Sequence, residues 1–291
     1  MSINSPIGIF DSGLGGLTVA KRILDELPHE SIAYLGDQIH APYGERLPRE
    51  IRSFALGITD FLIRQNAKLV IMACNMSSAT ALSSAHELFP GTPMVGVIET
   101  GVRAAVRAGG ISGGPIGVLA TAGTVGTQAY TETILRLLPE AVVIEQACPR
   151  LVPLVEAGLC DSPAAEEATR EYVAPLLSAG CRTLILGCTH YPFVMESIRG
   201  IAGPDAIIID PAEETAMEAA NILFDAGMLS PPHVEPAHVY FTTDRPERFA
   251  ELGGRFLGRT ISGVRKITWG LELRAIEWQE KTGVGTTKSG L

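Results

Sequence analysis

The chain's 291 residues include 46% hydrophobic and 19% charged side chains, with a formal net charge of −9. This is too apolar for disorder, and with no uninterrupted apolar run of about 18 residues it excludes a transmembrane helix. The acidity excludes a general nucleic-acid binder, which needs clustered Lys and Arg, but leaves room for a small anionic substrate at a locally positive site. The length is near twice the roughly 150 residues of one domain, so two domains are expected. The opening MSINSPIGIF lacks the basic flank and long apolar core of a signal peptide, which points to a cytoplasmic chain with no membrane partner.

In chain order, short β-branched runs predict strands over 7–10, 31–36, 68–73, 93–97, 116–119, 141–145, 183–186 and 206–209. Helical periodicity predicts helices over 17–27, 48–65, 77–89, 126–138, 164–179 and 213–226. This alternation implies an α/β fold of parallel sheets with helices on both faces.

The chain also repeats itself. IGIFDSGLGG from Ile7 returns as IGVLATAGTVG from Ile116, 109 residues on, and LVIMACNMSS from Leu69 as TLILGCTHYP from Thr183. The cysteines of the second pair, Cys74 and Cys188, are 114 apart. Between these landmarks each half carries a strand followed by a proline-containing loop, IAYLGDQIHAPYG and VVIEQACPRLVPLVEAG. Two pseudo-symmetric α/β domains follow, one from 1–98 plus 211–291 and the other from 99–210, with a flexible join expected over 99–114 at GG and SGGP. VYFTTD from Val239 and KITWG from Lys266 are expected to pack back onto the first domain, and 281–291 to be disordered.

Five cysteines, with no Cys-x-x-Cys, argue against both structural zinc and a disulfide framework. Cys74 and Cys188 each follow a buried-strand pattern at the carboxyl edge of a sheet, where α/β folds bind ligands. A helix N-terminus there would supply free N–H groups and a field that favours a thiolate. A single cysteine is ordinarily a small buried hydrophobe, and Cys148, Cys160 and Cys181 are read that way; two at matched positions of a repeat reverse that reading. Asp11 and Ser12 end the first strand, followed by Gly13, Gly15 and Gly16, which let backbone approach a ligand. Leu14 and Thr18 rule out a Walker loop and a dinucleotide fingerprint. His190 stands two residues after Cys188, where it can raise the thiolate fraction or relay a proton. Pro42, Tyr43 and Gly44 form a turn whose backbone N–H groups and phenol could hold an oxyanion. The other histidines (His29, His40, His86, His233 and His238) read as structural or solvent-facing.

Together these pieces resemble the glutamate racemase family, within the cofactor-independent aspartate/glutamate racemase superfamily. The matching segments are FDSGLGGLTV from Phe10, YLGD from Tyr34, PYG from Pro42, ACN from Ala73, VPLVEAG from Val152 and LGCTHYP from Leu186. The resemblance implies two similar α/β domains with the active site in the cleft between them. It makes Cys74 and Cys188 the proton-transfer groups, with Asp11 assisting Cys74, and His190 and Glu156 assisting Cys188. Ser12, Pro42, Tyr43, Gly44, Asn75, Thr121 and Thr189 would bind the substrate's charged groups, alongside Asp11 and His190. One position departs: the family usually reads ACNT, and Met76 stands here for the threonine, leaving its backbone N–H to serve.

The resemblance further implies L- and D-glutamate as partners, no cofactor and no metal, supply of D-glutamate for peptidoglycan, and a homodimer. The residues agree on the cofactor: none of the five lysines (Lys21, Lys68, Lys266, Lys281 and Lys288) lies in a site loop that could hold pyridoxal phosphate. Three alternatives stand beside it: an aspartate or related racemase, which Met76 keeps open; a cysteine hydrolase using Cys188 and His190; and a gyrase-inhibiting role known for some glutamate racemases, which nothing in the sequence demands.

Overall fold

The computed structural model describes residues 2–112 and 114–277. The first half runs β1 (Ile7–Asp11), α1 (Leu17–Glu26), β2 (Ile32–Gly36), α2 (Pro48–Arg64), β3 (Leu69–Met72), α3 (Asn75–Leu88), β4 (Met94–Gly96) and α4 (Val97–Ser112). The second runs β5 (Ile116–Ala120), α5 (Ala122–Thr127), α6 (Ala129–Leu137), β6 (Val143–Ala147), α7 (Leu151–Glu156), α8 (Pro163–Ser178), β7 (Thr183–Gly187), α9 (Met195–Ala202) and β8 (Ile207–Ile209). The chain ends with α10 (Pro211–Asp225), β9 (Val239–Thr242), α11 (Pro246–Leu257) and β10 (Arg265–Lys266).

The strands form two parallel sheets and hence two α/β domains. Their orders are β10-β9-β2-β1-β3-β4 and β6-β5-β7-β8. Removing β9 and β10 leaves the same order in both sheets, so the sequence repeat is a repeat of topology. The segment around Val239 returns to the first sheet as β9, which pairs with β2 from Ala33↔Val239 to Gly36↔Thr242.

The central strands β1, β3, β5 and β7 are wholly buried, as strands covered on both faces must be. On β1, Ile7 and Ile9 pack with Leu17 and Ile23 of α1, whereas Phe10 packs with Leu56 and Leu62 of α2. Lys68 and Glu30 form a buried ion pair at 2.7 Å. The Lys68 ammonium also donates to the Met228 carbonyl (2.7 Å) and Ser230 Oγ (3.2 Å). It thereby fastens the chain leaving α10 to the base of the first sheet; breaking such a pair costs about 3–5 kcal/mol.

Four expectations are corrected. The join over 99–114 is not a loose linker: α4 runs through it, because Ile98, Val102 and Ala105 recur at helical spacing and are buried. Gly101 serves packing there, since a Cβ on it would lie 2.8 Å from Pro211 Cγ. The helix expected over 126–138 is two helices, broken at Gln128 with φ 57°. The VPLVEAG loop contains α7, so Glu156 ends a helix. Finally, Cys188 does not open an α-helix: a turn and a short 3₁₀ segment, Tyr191–Val194, precede α9. The disorder expected over 281–291 lies outside the described residues. Among those described, no helix is long and apolar enough to cross a membrane.

Candidate active site

The strand ends β1, β3, β5 and β7 meet at a cavity of about 60 Å³. From the first domain Ser12, Pro42, Tyr43, Gly44, Cys74, Asn75 and Met76 line it; from the second come Thr121, Glu156, Cys188, Thr189 and His190. Twelve of the thirteen residues singled out from the sequence therefore share one wall. Asp11 stands behind that wall rather than in it, 1% exposed at the end of β1. Gly13, one of the glycines read as letting backbone approach a ligand, completes the lining together with Ala41, Thr124, Val152 and Gly187, which sequence reading had not assigned. The cavity shares Gly13, Pro42, Thr121 and Glu156 with a wider, mostly apolar antechamber of about 660 Å³ that includes Cys148, Cys160, Arg248 and Phe256.

On the first-domain side, Cys74 is the N-cap of α3 and is 7% exposed. Asn75 and Met76 of α3's first turn line the same space, and the free N–H groups of a helix's first turn can hold a carboxylate. Asp11 Oδ2 accepts the Gly13 N–H at 2.9 Å, while Oδ1 is buried without a partner. Burial raises the Asp11 carboxyl above its usual range, against the pull of His190. Burial first, and the Asp11 charge second, push the Cys74 thiol up to about 12 despite hydrogen bonds from Ser77 and Ser12.

On the other side, Cys188 Sγ lies 3.8 Å from His190 Nδ1, and His190 Nε2 lies 3.3 Å from Glu156 Oε1. Burial opposes charge on the His190 ring, but its bonds to Cys188 and Glu156 and the fields of Cys188 and Asp11 outweigh it, pushing the imidazolium up to about 10. The bond from His190 in turn holds Glu156 below the usual carboxylate range. Phe256 of α11 caps the imidazole edge-on at 5.8 Å, a contact from a helix that sequence reading had not found.

The glycine run explains how the halves fit together. A Cβ on Gly15 would stand 2.6 Å from His190 Cε1, and one on Gly16 would stand 2.5 Å from Asp11 Cβ. Thr18 Oγ1 also donates across to the Thr189 carbonyl (3.2 Å), and the Tyr130 hydroxyl of α6 donates to Asn75 Oδ1 (2.7 Å). Thr121 caps α5, its Oγ1 accepting the Thr124 N–H. One assignment changes. The Tyr43 phenol is not offered to the cavity: it donates to Asp37 Oδ2 at 2.6 Å. Met76 is 3% exposed and packs with Tyr43, Ile51 and Cys74; its side chain supplies apolar wall, as the missing hydroxyl implied.

Paired thiols with separate titratable partners, set between two parallel-sheet domains, define an enzyme class. The family model for Asp/Glu/hydantoin racemase matches residues 15–219 of the chain. Glutamate racemase of Syntrophus aciditrophicus (strain SB) is 42% identical over 262 residues, covering 90% of this chain and 96% of that protein. The Corynebacterium glutamicum glutamate racemase is 41% identical over 265 residues, again 90% of this chain and 96% of that one. Among solved structures, glutamate racemase isoform RacE1 from Bacillus anthracis aligns with TM-score 0.86 at 38% identity, over 93% of this chain and 99% of that one. The Francisella tularensis glutamate racemase, solved with D-glutamate, aligns at TM-score 0.85 and 33% identity, over 91% and 98%. The chain belongs to the glutamate racemase family and is an amino-acid racemase.

Proposed function

We propose that the protein interconverts L- and D-glutamate without a cofactor, with Cys74 and Cys188 as bases on opposite faces of the substrate Cα. The observation that carries this reading is the pair of thiols at corresponding strand ends, both lining one cavity. Racemisation removes the Cα proton from one face and delivers a proton to the other, which one fixed base cannot do. A thiol, with an ordinary pKa of about 8.5, can serve as thiolate base or thiol acid near neutral pH.

Starting from L-glutamate, the Cys188 thiolate takes the Cα proton, breaking C–H and forming S–H. Cys74 then gives its own proton to the opposite face, and its sulfur keeps the electron pair of the broken S–H bond. The His190 imidazolium supports the Cys188 thiolate, and Glu156 holds the imidazole in place and charged. In the reverse direction Asp11, behind Cys74, first accepts its thiol proton; the Cys74 thiolate then takes the Cα proton, and the Cys188 thiol gives its proton to the opposite face, its sulfur keeping the electron pair. The α-proton is very weakly acidic, so the carbanion-like transition state needs oriented donors. In this reading the donors are the first-turn N–H groups of α3, including that of Met76, the backbone N–H groups of Tyr43 and Gly44, Ser12, Thr121 and Thr189. The resemblance extends the reading to a cytoplasmic homodimer supplying D-glutamate for peptidoglycan.

Turnover of both glutamate enantiomers and of aspartate, followed by circular dichroism on protein dialysed against chelator and a carbonyl trap, tests it. Glutamate should be racemised at full rate and far faster than aspartate. A preference for aspartate, or activity lost to the chelator or trap, overturns the reading.

A further inference from the structure

Asp37 lies just after β2 and outside the cavity lining. It is fully buried, and its carboxylate gathers four partners that divide between its two oxygens. Oδ1 accepts from Thr243 Oγ1 (3.0 Å) and Trp269 Nε1 (2.8 Å). Oδ2 accepts from the Tyr43 phenol (2.6 Å) and lies 2.9 Å from His40 Nδ1. The first pair belongs to the segment that returns to the first sheet after α10; the second belongs to the loop that carries the 42–44 turn. One carboxylate thus joins stretches of chain some two hundred residues apart.

The surroundings tighten the same joint. Thr243 Oγ1 also accepts the Ile39 N–H at 3.1 Å. The His40 ring stacks on Phe54 of α2, with centroids 3.9 Å apart and planes 7° from parallel, and meets Trp269 edge-on at 5.1 Å. Beyond the turn lies the second domain: a Cβ on Gly44 would be 3.2 Å from Thr121 Oγ1, and one on Gly123 would be 2.9 Å from Gly44 Cα. There is little slack on either side of the turn, so its placement depends on what holds its far end.

We propose that Asp37 is a positioning residue whose carboxylate locks the 42–44 turn of the active site to the returning C-terminal segment. It rests on the reading of that turn as a substrate contact and gives the segment after α10 a part in substrate binding. Hydrogen bonds to a buried carboxylate fix direction as well as distance, and each lost donor lets the turn sample positions in which its backbone N–H groups miss the substrate. Substrate and transition state suffer alike, so KM should carry the effect.

Removing Asp37 itself could unfold the chain, so the test removes single donors. Trp269→Phe keeps the ring and loses the N–H; Thr243→Val loses the hydroxyl; Thr243→Ser keeps it. Trp269→Phe and Thr243→Val should each raise the KM for glutamate about three- to tenfold, the size of one hydrogen bond, with kcat within about twofold of the parent. Thr243→Ser should retain the parent KM. Hydrogen exchange of the peptide spanning 38–47 should quicken in the two deficient variants, while that of α8 stays as it was. Unchanged exchange in that peptide, or Thr243→Ser as impaired as Thr243→Val, overturns the proposal. Because exchange is read without substrate, a parent protein inactive on glutamate would defeat the substrate reading alone and leave this measurement to decide the role of Asp37.

Discussion

The Cys74 and Cys188 sides of the cavity occupy the same place in two copies of one topology, yet their electrostatics are opposite. Cys74 caps a helix and has a buried carboxylate behind it; burial and the Asp11 charge push its thiol up to about 12. Cys188 has no α-helix at its back until Met195, and its neighbour is an imidazolium pushed up to about 10 and tied to Glu156. The sheet repeat sets where the sulfurs stand, while the groups beside them differ: a buried carboxylate behind Cys74, and an imidazole tied to a second carboxylate beside Cys188.

Removing each partner should break the comparison unevenly. His190→Asn and Asp11→Asn should each lower kcat about 10²-fold, the lower end of general acid–base contributions, and the two directions must lose kcat/KM equally because the enantiomers have equal free energy. The asymmetry should show in the primary isotope effects: larger with α-deuterated L-glutamate for His190→Asn and with α-deuterated D-glutamate for Asp11→Asn, and isotope effects unchanged from the parent in both variants would contradict it. His190 also leaves a signature in stability. Its folded-state value lies above the ordinary 6.5, so its contribution is fully present below that pH and is lost as pH rises through about 10. Denaturant titrations of the parent should show stability falling across that window, and His190→Asn should flatten the fall.

Smaller effects sharpen the same picture. Glu156→Gln removes the charge that helps hold the imidazolium, so the alkaline limb of the rate profile should move down from near pH 10, with a loss in kcat of about tenfold. Glu156 is well exposed, which keeps this effect below that of removing His190. Smallest is Met76→Thr. A restored hydroxyl should lower the KM for glutamate by no more than about tenfold, the span of one neutral hydrogen bond. An unchanged KM would mean that the Met76 backbone already does what the hydroxyl does elsewhere in the family.

All eight strands read from the sequence form: β1, β3, β5 and β7 are continuous buried apolar runs bounded by turns, and the half-buried outer strands β6 and β8 pair beside β5 and β7. The paired thiols and the glycine run were legible for the same reason: their signals are local. What stayed hidden depends on distant partners. Helix α4 was obscured by the glycines of GG and SGGP near its end, which read as a loose join although Ile98, Val102 and Ala105 keep helical spacing. The short helices α7 and α9 carry too few turns for a periodic signal, and α11, though amphipathic, gave no hint that Phe256 would cap His190. The Tyr43 phenol belongs to Asp37, and Asn75 is held by Tyr130, pairings that no spacing in the chain announces.

The division of work between the thiols is most directly measured with serine variants and a glutamate analogue bearing a β leaving group, whose elimination needs a proton removed from one face only. Cys74→Ser and Cys188→Ser should each lose about 10²–10⁴-fold in racemisation, as expected for loss of a general acid–base group. A serine hydroxyl is too weakly acidic to serve as base, so Cys188→Ser should retain elimination from the D-analogue and Cys74→Ser from the L-analogue. Substantial racemisation by either variant, or loss of both eliminations in both variants, would contradict two bases acting from opposite faces.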